Sequence, residues 1–357
     1  MMYEVAISSK FHEYIVSLGS NSVLSRCSTS SIAIVDQRFE VESRAIWENV
    51  IILDPREDLK SLNICQEVIK QLHECGANRY STVVAIGGGY VQDIATFVCS
   101  IYMRGINWTY IPTTWMSILD SCIGGKSSIN VGNIKNLVGN IYPPTAIVVG
   151  NEFAPGYSPE SIASGLCESI KICYARGSEA FARHNDLLAR SAGLTNEIRF
   201  EFMQHVIATK KWFIEEDEFD TGVRQLLNFG HTFGHALESA TRFHLPHGIA
   251  IGVGMLCALE SNEAANTDNE IQLSREVRRI IYPVQDIIRT ANNHFDRNAF
   301  IAAFERDKKH DSDNYSLILS ESGVLMKKVI QRNHATANEI ADVVERTISG
   351  ILDDHDF

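Results

Sequence analysis

The chain has 357 residues, 45% of them hydrophobic and 21% charged, which is the composition of a soluble globular protein with more than one core. A net charge of −12 and a pI of about 5.5 argue against nucleic acid or an anionic membrane as a partner, although a local basic cleft can still focus field on a small anion. The eight cysteines are scattered without a C-x-x-C pair, the first residues lack the layout of a signal peptide, and the longest apolar run, around Gly248 to Leu259, is too short to span a bilayer. A cytoplasmic protein is expected.

In chain order, Tyr3 to Ser8, Ser31 to Val35, Val50 to Leu53, Thr82 to Ile86, Trp108 to Ile111 and Ala146 to Val149 read as strands. Leu59 to Cys75 and Val91 to Tyr102 have apolar residues at helical spacing between them. Strands alternating with helices predict a parallel sheet in an α/β domain over 1–150. Pro155 and Pro159 then punctuate a connection, and long helical patterns fill 151–357, with Tyr315 to Leu319 the one strand-like run. The active site is expected in the cleft between the two domains.

Chemistry-bearing residues cluster along this path. Gly87-Gly88-Gly89 lies between a strand and a helix containing Asp93, a turn that lets backbone N–H groups approach a pyrophosphate, and Asp36 ends an earlier strand where it could accept from a ribose. Residues 102–144 set Arg104, Thr113, Thr114, Asp120, Lys126, Lys135 and Asn136 among glycine turns, a pattern suited to phosphate or carboxylate. Glu168 and Lys171, three apart in GLCESIK, share a helix face. Further on, Lys210, Arg224 and Asn228 lead to His231 and His247, each beside a glycine at a helix start, with His235 one turn after His231. Imidazoles with a carboxylate make a zinc-type site that can keep a position open for substrate.

The segments GGGYVQDIATFVCSIYMRG, PTTWMSILDSCIGGKSSIN, KNLVG, GLCESIK, RQLLNFGHTFGHALE, HGIAIGVGM and RDKKHDSDNYSLIL together resemble the 3-dehydroquinate synthase family of sugar phosphate cyclases. The resemblance spans roughly residues 34 to 320. It implies an N-terminal NAD-binding α/β domain, 1–150, and a mostly helical metal- and substrate-binding domain, 151–357, acting as a homodimer. Glu168, His231 and His247 would bind Zn2+ or Co2+. Asp36, Glu57, Lys60, Gly88, Gly89, Asp93, Thr113, Thr114 and Lys135 would contact NAD. Lys126, Asn136, His235 and one of Lys308 or Lys309 would hold the substrate phosphate, with Arg104 supplied by a neighbouring subunit. Arg224 and Lys210 would grip a substrate carboxylate, and Asp120, Lys171 and Asn228 the hydroxyls near the metal.

The implied reaction converts 3-deoxy-D-arabino-heptulosonate 7-phosphate to 3-dehydroquinate and phosphate in the shikimate pathway, by transient oxidation, phosphate elimination, reduction and aldol closure. A related cyclase acting on sedoheptulose 7-phosphate, glucose 6-phosphate or an amino-heptulosonate is the alternative. A metal-dependent alcohol or glycerol dehydrogenase fits less well, because it needs no phosphate-binding cations. Several positions depart from the family pattern: Gln92 replaces a glycine before Asp93, the Val131 to Ile134 loop resembles that of cyclases of secondary metabolism, and Gly150-Asn151 and Tyr157-Ser158 alter the connection. Ile249 replaces a glutamate, which implies that a carboxylate partner of the metal histidine is missing.

Overall fold

A computed structural model describes residues 2–19, 27–132, 134–150, 153, 158–190, 196–261 and 267–354. Pro155, the departures at Asn151 and Tyr157, and Asn133 of the loop lie outside these residues. The chain divides into two compact units, Met1–Gly156 with Arg190–Phe219, and Tyr157–Ala189 with Asp220–Phe357. The stretch Arg190–Phe219, assigned above to the second domain, therefore belongs with the first. Its helix Asn196–Glu216 buries Phe202, Met203, Val206, Phe213 and Ile214, and its Glu215 Oε1 accepts from Ser8 N at 2.8 Å just past the first strand.

The first unit is built on a seven-stranded sheet formed by β1 (Met2–Ile7), β2 (Tyr14–Gly19), β3 (Ile32–Asp36), β4 (Val50–Leu53), β5 (Thr82–Gly87), β6 (Asn107–Pro112) and β9 (Ala146–Val149). Its order is β1-β2-β9-β6-β5-β3-β4, parallel throughout except for the antiparallel β1–β2 pair. From β3 the chain continues to one side, to β4; from β5 it continues to the other, to β6 and β9. The order thus reverses between β3 and β5, and in open α/β sheets the crevice beyond the strand ends at such a point is where ligands bind. The register pairs Val35 with Ile86, so Asp36 and Gly87 end adjacent strands there. Ala33, Val35, Val84, Ile86, Ile111 and Val148 form the core beneath with Trp47 and Phe153.

Three strands of this unit escaped the sequence reading. In β2 the buried Ser17 interrupts the apolar run. The hairpin β7 (Ile129–Val131) and β8 (Ile134–Val138) is short, and β8 is almost wholly exposed, so it carries no apolar period.

In the second unit, helices Pro159–Arg176, Ser178–Arg190, His231–Ala240, His247–Glu260, Asp268–Ile281, Gln285–Asn292, Arg297–Glu305 and His334–Leu352 share a core that includes Phe229, Phe233, Leu273, Phe300 and Val344. β10 (Asn314–Glu321) and β11 (Val324–Gln331) make an antiparallel pair on this unit. β11 was not anticipated, since Val324 and Val329 are exposed and lysines sit between them. No helix among the described residues is long and apolar enough to cross a membrane.

Candidate active site

In the second unit three helices converge because glycines let them approach. The helix His231–Ala240 starts after Gly230, whose φ of +77° is left-handed; a Cβ there would lie 2.8 Å from Ile251 O and Met255 N. A Cβ on Gly254 would sit 2.2 Å from Gly230 O, and one on Gly248 would sit 2.3 Å from Ser164 O. The close approach presents the first residues of two helices, His231 and His247, to the middle of the helix Pro159–Arg176, where Glu168 and Lys171 project.

Glu168 is 1% exposed and Lys171 2% exposed, and Lys171 Nζ donates to Glu168 Oε2. The other carboxylate oxygen, Oε1, makes no hydrogen bond although it is buried. It lies 3.9 Å from His231 Nε2 and 3.6 Å from His247 Nε2. His231 Nδ1 is 3.3 Å from Phe229 O, and a carbonyl only accepts, so Nδ1 carries the proton and Nε2 a lone pair. His247 Nδ1 is 3.2 Å from Glu238 Oε2, which assigns its tautomer in the same way. With His247 in its neutral form, Glu168 Oε1 and the two Nε2 atoms are three acceptors facing one another, an arrangement that a divalent cation satisfies. These residues fit the metal that the family pattern implies.

His235 adds a third imidazole. Its ring is 5.3 Å from that of His231 and 5.5 Å from that of His247, and one ligand atom from each of the three lies within 4.8 Å of the others. Desolvation, with the Lys171 charge next, holds the His231 pKa well below the ordinary imidazole range. Desolvation and the His247 charge push His235 down to about 4, although its ring is open to solvent on one side. At neutral pH both are therefore uncharged, as ligands and neutral hydrogen-bonding groups require. For His247 desolvation also acts downward, but the Glu238 hydrogen bond and the Glu238 and Glu168 charges raise it overall.

Glu238 is the residue that sequence reasoning missed. The implied loss of a carboxylate partner at Ile249 is corrected: Ile249 is fully buried in the apolar core, and the partner of His247 comes from the neighbouring helix. The signal was present, because Glu238 follows His235 by three residues on one helix face. Of the two lysines left open above, Lys308 is exposed, while Lys309, 2.6 Å from Asp307 Oδ2, lowers the pKa of His231 and His235 by its charge. Arg224 is 4% exposed in the helical turn Val223–Asn228, and Asn228 Nδ2 donates to Gln225 O at 3.0 Å.

In the first unit the helix Gly89–Ile101 begins at the glycine turn without a side-chain cap. A Cβ on Gly88 would press on Thr114 Cγ2 at 2.9 Å, whereas one on Gly89 would meet nothing within 4 Å. Thr113 is buried, and its hydroxyl has no hydrogen-bond partner. An uncapped helix N-terminus, open space over a glycine and an orphaned hydroxyl at the sheet crevice fit a dinucleotide.

Lys60 Nζ bridges Glu57 Oε1 at 3.0 Å and Asp93 Oδ2 at 2.9 Å, and Ser128 N and Oγ both donate to Asp93 at 3.1 Å. Burial nevertheless raises the Asp93 pKa, against the Lys60 charge and these bonds. Asn130 Nδ2 donates to Glu57 O at 3.0 Å, so three of the residues assigned to the cofactor form one network with the start of the hairpin. Lys126, Lys135 and Asn136 are exposed, Asn136 with a left-handed φ of +53°. Exposed Arg104 also has a positive φ, +71°.

Lys210 Nζ is 2.7 Å from Asp120 Oδ1 and 2.5 Å from Asp120 O, so within the first unit it meets Asp120. Asp120 rides on a π-helical turn, Ser117–Ser121. The unexpected Gln92 clamps that turn: its Nε2 donates to Ser121 O at 2.6 Å and its Oε1 accepts from Ser121 Oγ at 2.7 Å.

A parallel-sheet unit whose strand order reverses at a glycine turn, and a helical unit with a carboxylate–histidine cluster, define the class of the protein. The chain belongs to the 3-dehydroquinate synthase family. Residues 50–163 match the family described as 3-dehydroquinate synthase N-terminal, and residues 165–310 its C-terminal counterpart. It is 31% identical to the 3-dehydroquinate synthase of Saccharolobus solfataricus over 84% of this chain and 86% of that one. Two solved structures share the fold. A 2-deoxy-scyllo-inosose synthase complexed with carbaglucose-6-phosphate, NAD+ and Co2+ has a TM-score of 0.74 at 22% identity, over 96% of this chain and 100% of that one. The 2-epi-5-epi-valiolone synthase of Streptomyces hygroscopicus subsp. jinggangensis 5008, with NAD+ and Zn2+ bound, has a TM-score of 0.76 at 19% identity, over 98% and 99%.

Proposed function

We propose that this chain is a phosphate-eliminating cyclase that converts 3-deoxy-D-arabino-heptulosonate 7-phosphate to 3-dehydroquinate and inorganic phosphate. The observation that carries the reading is the convergence of Glu168 Oε1 with the His231 and His247 Nε2 atoms, in a chain whose curated relatives are 3-dehydroquinate synthases. Glu168, His231 and His247 would hold a divalent cation, zinc by its ligand set, and the crevice at Gly88, Gly89 and Thr113 an NAD. Bound there, the cation supplies Lewis acidity toward a substrate alcohol and NAD a reversible hydride acceptor.

The chain's own residues then bind, orient and neutralise. Lys171, fixed by Glu168 Oε2, sets a cation beside the alcohol. His235, neutral above about pH 4, offers a hydrogen bond to the substrate phosphate, with Lys309 adding a charge held by Asp307. Lys126 and Asn136 complete the phosphate group of residues. Arg224 takes the substrate carboxylate with Lys210, and Asp120 and Asn228 take hydroxyls. We further propose that the protein works as a homodimer in the cytoplasm, with Arg104 serving the neighbouring subunit's site.

The test is incubation of the purified protein with the heptulosonate phosphate, NAD+ and Zn2+. Phosphate should appear while NADH absorbance stays flat. Replacing Arg224 by alanine should lower kcat/KM about ten- to a hundredfold, the loss of one charge-assisted bond to a carboxylate. Stoichiometric NADH would instead indicate a dehydrogenase, and faster turnover of sedoheptulose 7-phosphate would reject the carboxylated substrate.

A further inference from the structure

The strand end at Asp36 presents something other than a free carboxylate. Asp36 is fully buried, and its two oxygens are taken by one residue. Arg38 N donates to Oδ1 at 3.0 Å, Nε to Oδ1 and Oδ2 at 3.0 and 3.1 Å, and Nη2 to Oδ2 at 2.6 Å. The arginine side chain is 58% exposed, against 0% for the aspartate. Phe39 supports the guanidinium from one side, with its ring centroid 5.9 Å away. At this point the crevice offers solvent a cation, and the negative charge beneath is already paired.

The position gives this a chemical meaning. Asp36 ends β3 beside Gly87, which opens the glycine turn of β5. A dinucleotide with its pyrophosphate at that turn brings a ribose to the end of the adjacent strand. A free carboxylate there accepts the ribose hydroxyls and repels a 2′-phosphate, whereas a nearby arginine accommodates one. Nε and one Nη2 N–H are spent on Asp36, and the remaining N–H groups of the planar guanidinium can reach phosphate oxygens.

We propose that Arg38 makes the crevice a reader of the 2′-phosphate, so that the protein binds NADP+ as well as NAD+. This rests on the dinucleotide reading above and extends it to the choice of cofactor. The fork closed on Asp36 cancels the carboxylate that would exclude the phosphate, and the exposed part of the guanidinium supplies the attraction.

The experiment measures binding of NAD+ and NADP+ separately to the whole protein, by calorimetry and by quenching of tryptophan fluorescence at one ionic strength. For the unmodified protein the two dissociation constants should lie within about tenfold of each other. Arg38→Asn should weaken NADP+ by about ten- to a hundredfold, while retained NAD+ binding reports that the variant is folded. Arg38→Lys, which keeps the charge and loses the fork, should fall between. The proposal is overturned if the unmodified protein binds NAD+ and prefers it over NADP+ by more than about tenfold, or if Arg38→Asn weakens both nucleotides equally. Binding of neither nucleotide would instead remove the dinucleotide reading on which it rests.

Discussion

At the scale of single residues, the cluster in the helical unit is governed by what the Nδ1 atoms of its histidines bond to. His231 and His247 each direct a protonated Nδ1 away from the centre, toward Phe229 O and Glu238 Oε2. Their Nε2 atoms are left facing Glu168 Oε1, and in the neutral imidazoles both are acceptors. Glu238 thereby sets the orientation of His247 without touching the centre itself. Glu238→Gln should weaken Zn2+ binding about ten- to a hundredfold, the usual cost of losing such a partner. Competition against a coloured chelator measures this directly. An unchanged metal affinity would mean that Glu238 is only a surface carboxylate. His231→Ala, which removes a ligand, should lose the metal outright in the same assay.

At the scale of elements, close helix approach and one clamped turn do the positioning. Gly230 combines a left-handed backbone with contact to Ile251 O and Met255 N, so Gly230→Ala meets both a conformational and a steric cost. The conformational part alone is about 1–2 kcal/mol. Thermal unfolding should show a clearly lowered Tm, together with weaker Zn2+ binding, because His231 is the next residue. A Tm equal to that of the unmodified protein would contradict the close packing described. In the sheet unit, Gln92→Met keeps the side-chain length and removes both bonds to Ser121. The π-helical turn that aims Asp120 at Lys210 would then relax, and kcat should fall about tenfold or more, as small misplacements in an active site do. A kcat unchanged alongside a lowered Tm would show that the clamp is structural only.

For the whole molecule, the proposed metal site would couple metal binding to folding. A cation held by Glu168, His231 and His247 in the folded protein alone adds its binding energy to folding, so removing metal should destabilise the helical unit. Zn2+ at a hundredfold over its Kd should return about 2.7 kcal/mol to the chelator-treated protein. Calorimetric scans with and without added Zn2+ test this, and coincident transitions would speak against a metal held by these residues.

The α/β unit and the helical remainder were legible in the amino-acid order, as were the residues that meet in the helical unit, Glu168, Lys171, His231 and His247. Short β-branched runs between helical patterns, and histidines placed at helix starts, are local patterns written in neighbouring residues. The strand order was not legible, because the reversal between β3 and β5 depends on pairings between distant segments. Nor was the membership of the helix Asn196–Glu216, which is apolar on more than one side and gives no sign of which unit buries it. The exposed β8 and β11 left no apolar period to read. The partners across elements were decided by tertiary structure alone: Glu238 for His247, Gln92 for Ser121 and Lys210 for Asp120. A side chain's hydrogen-bond partner depends on rotamers and packing across elements, whereas the helix or strand beneath it depends chiefly on its neighbours in the chain.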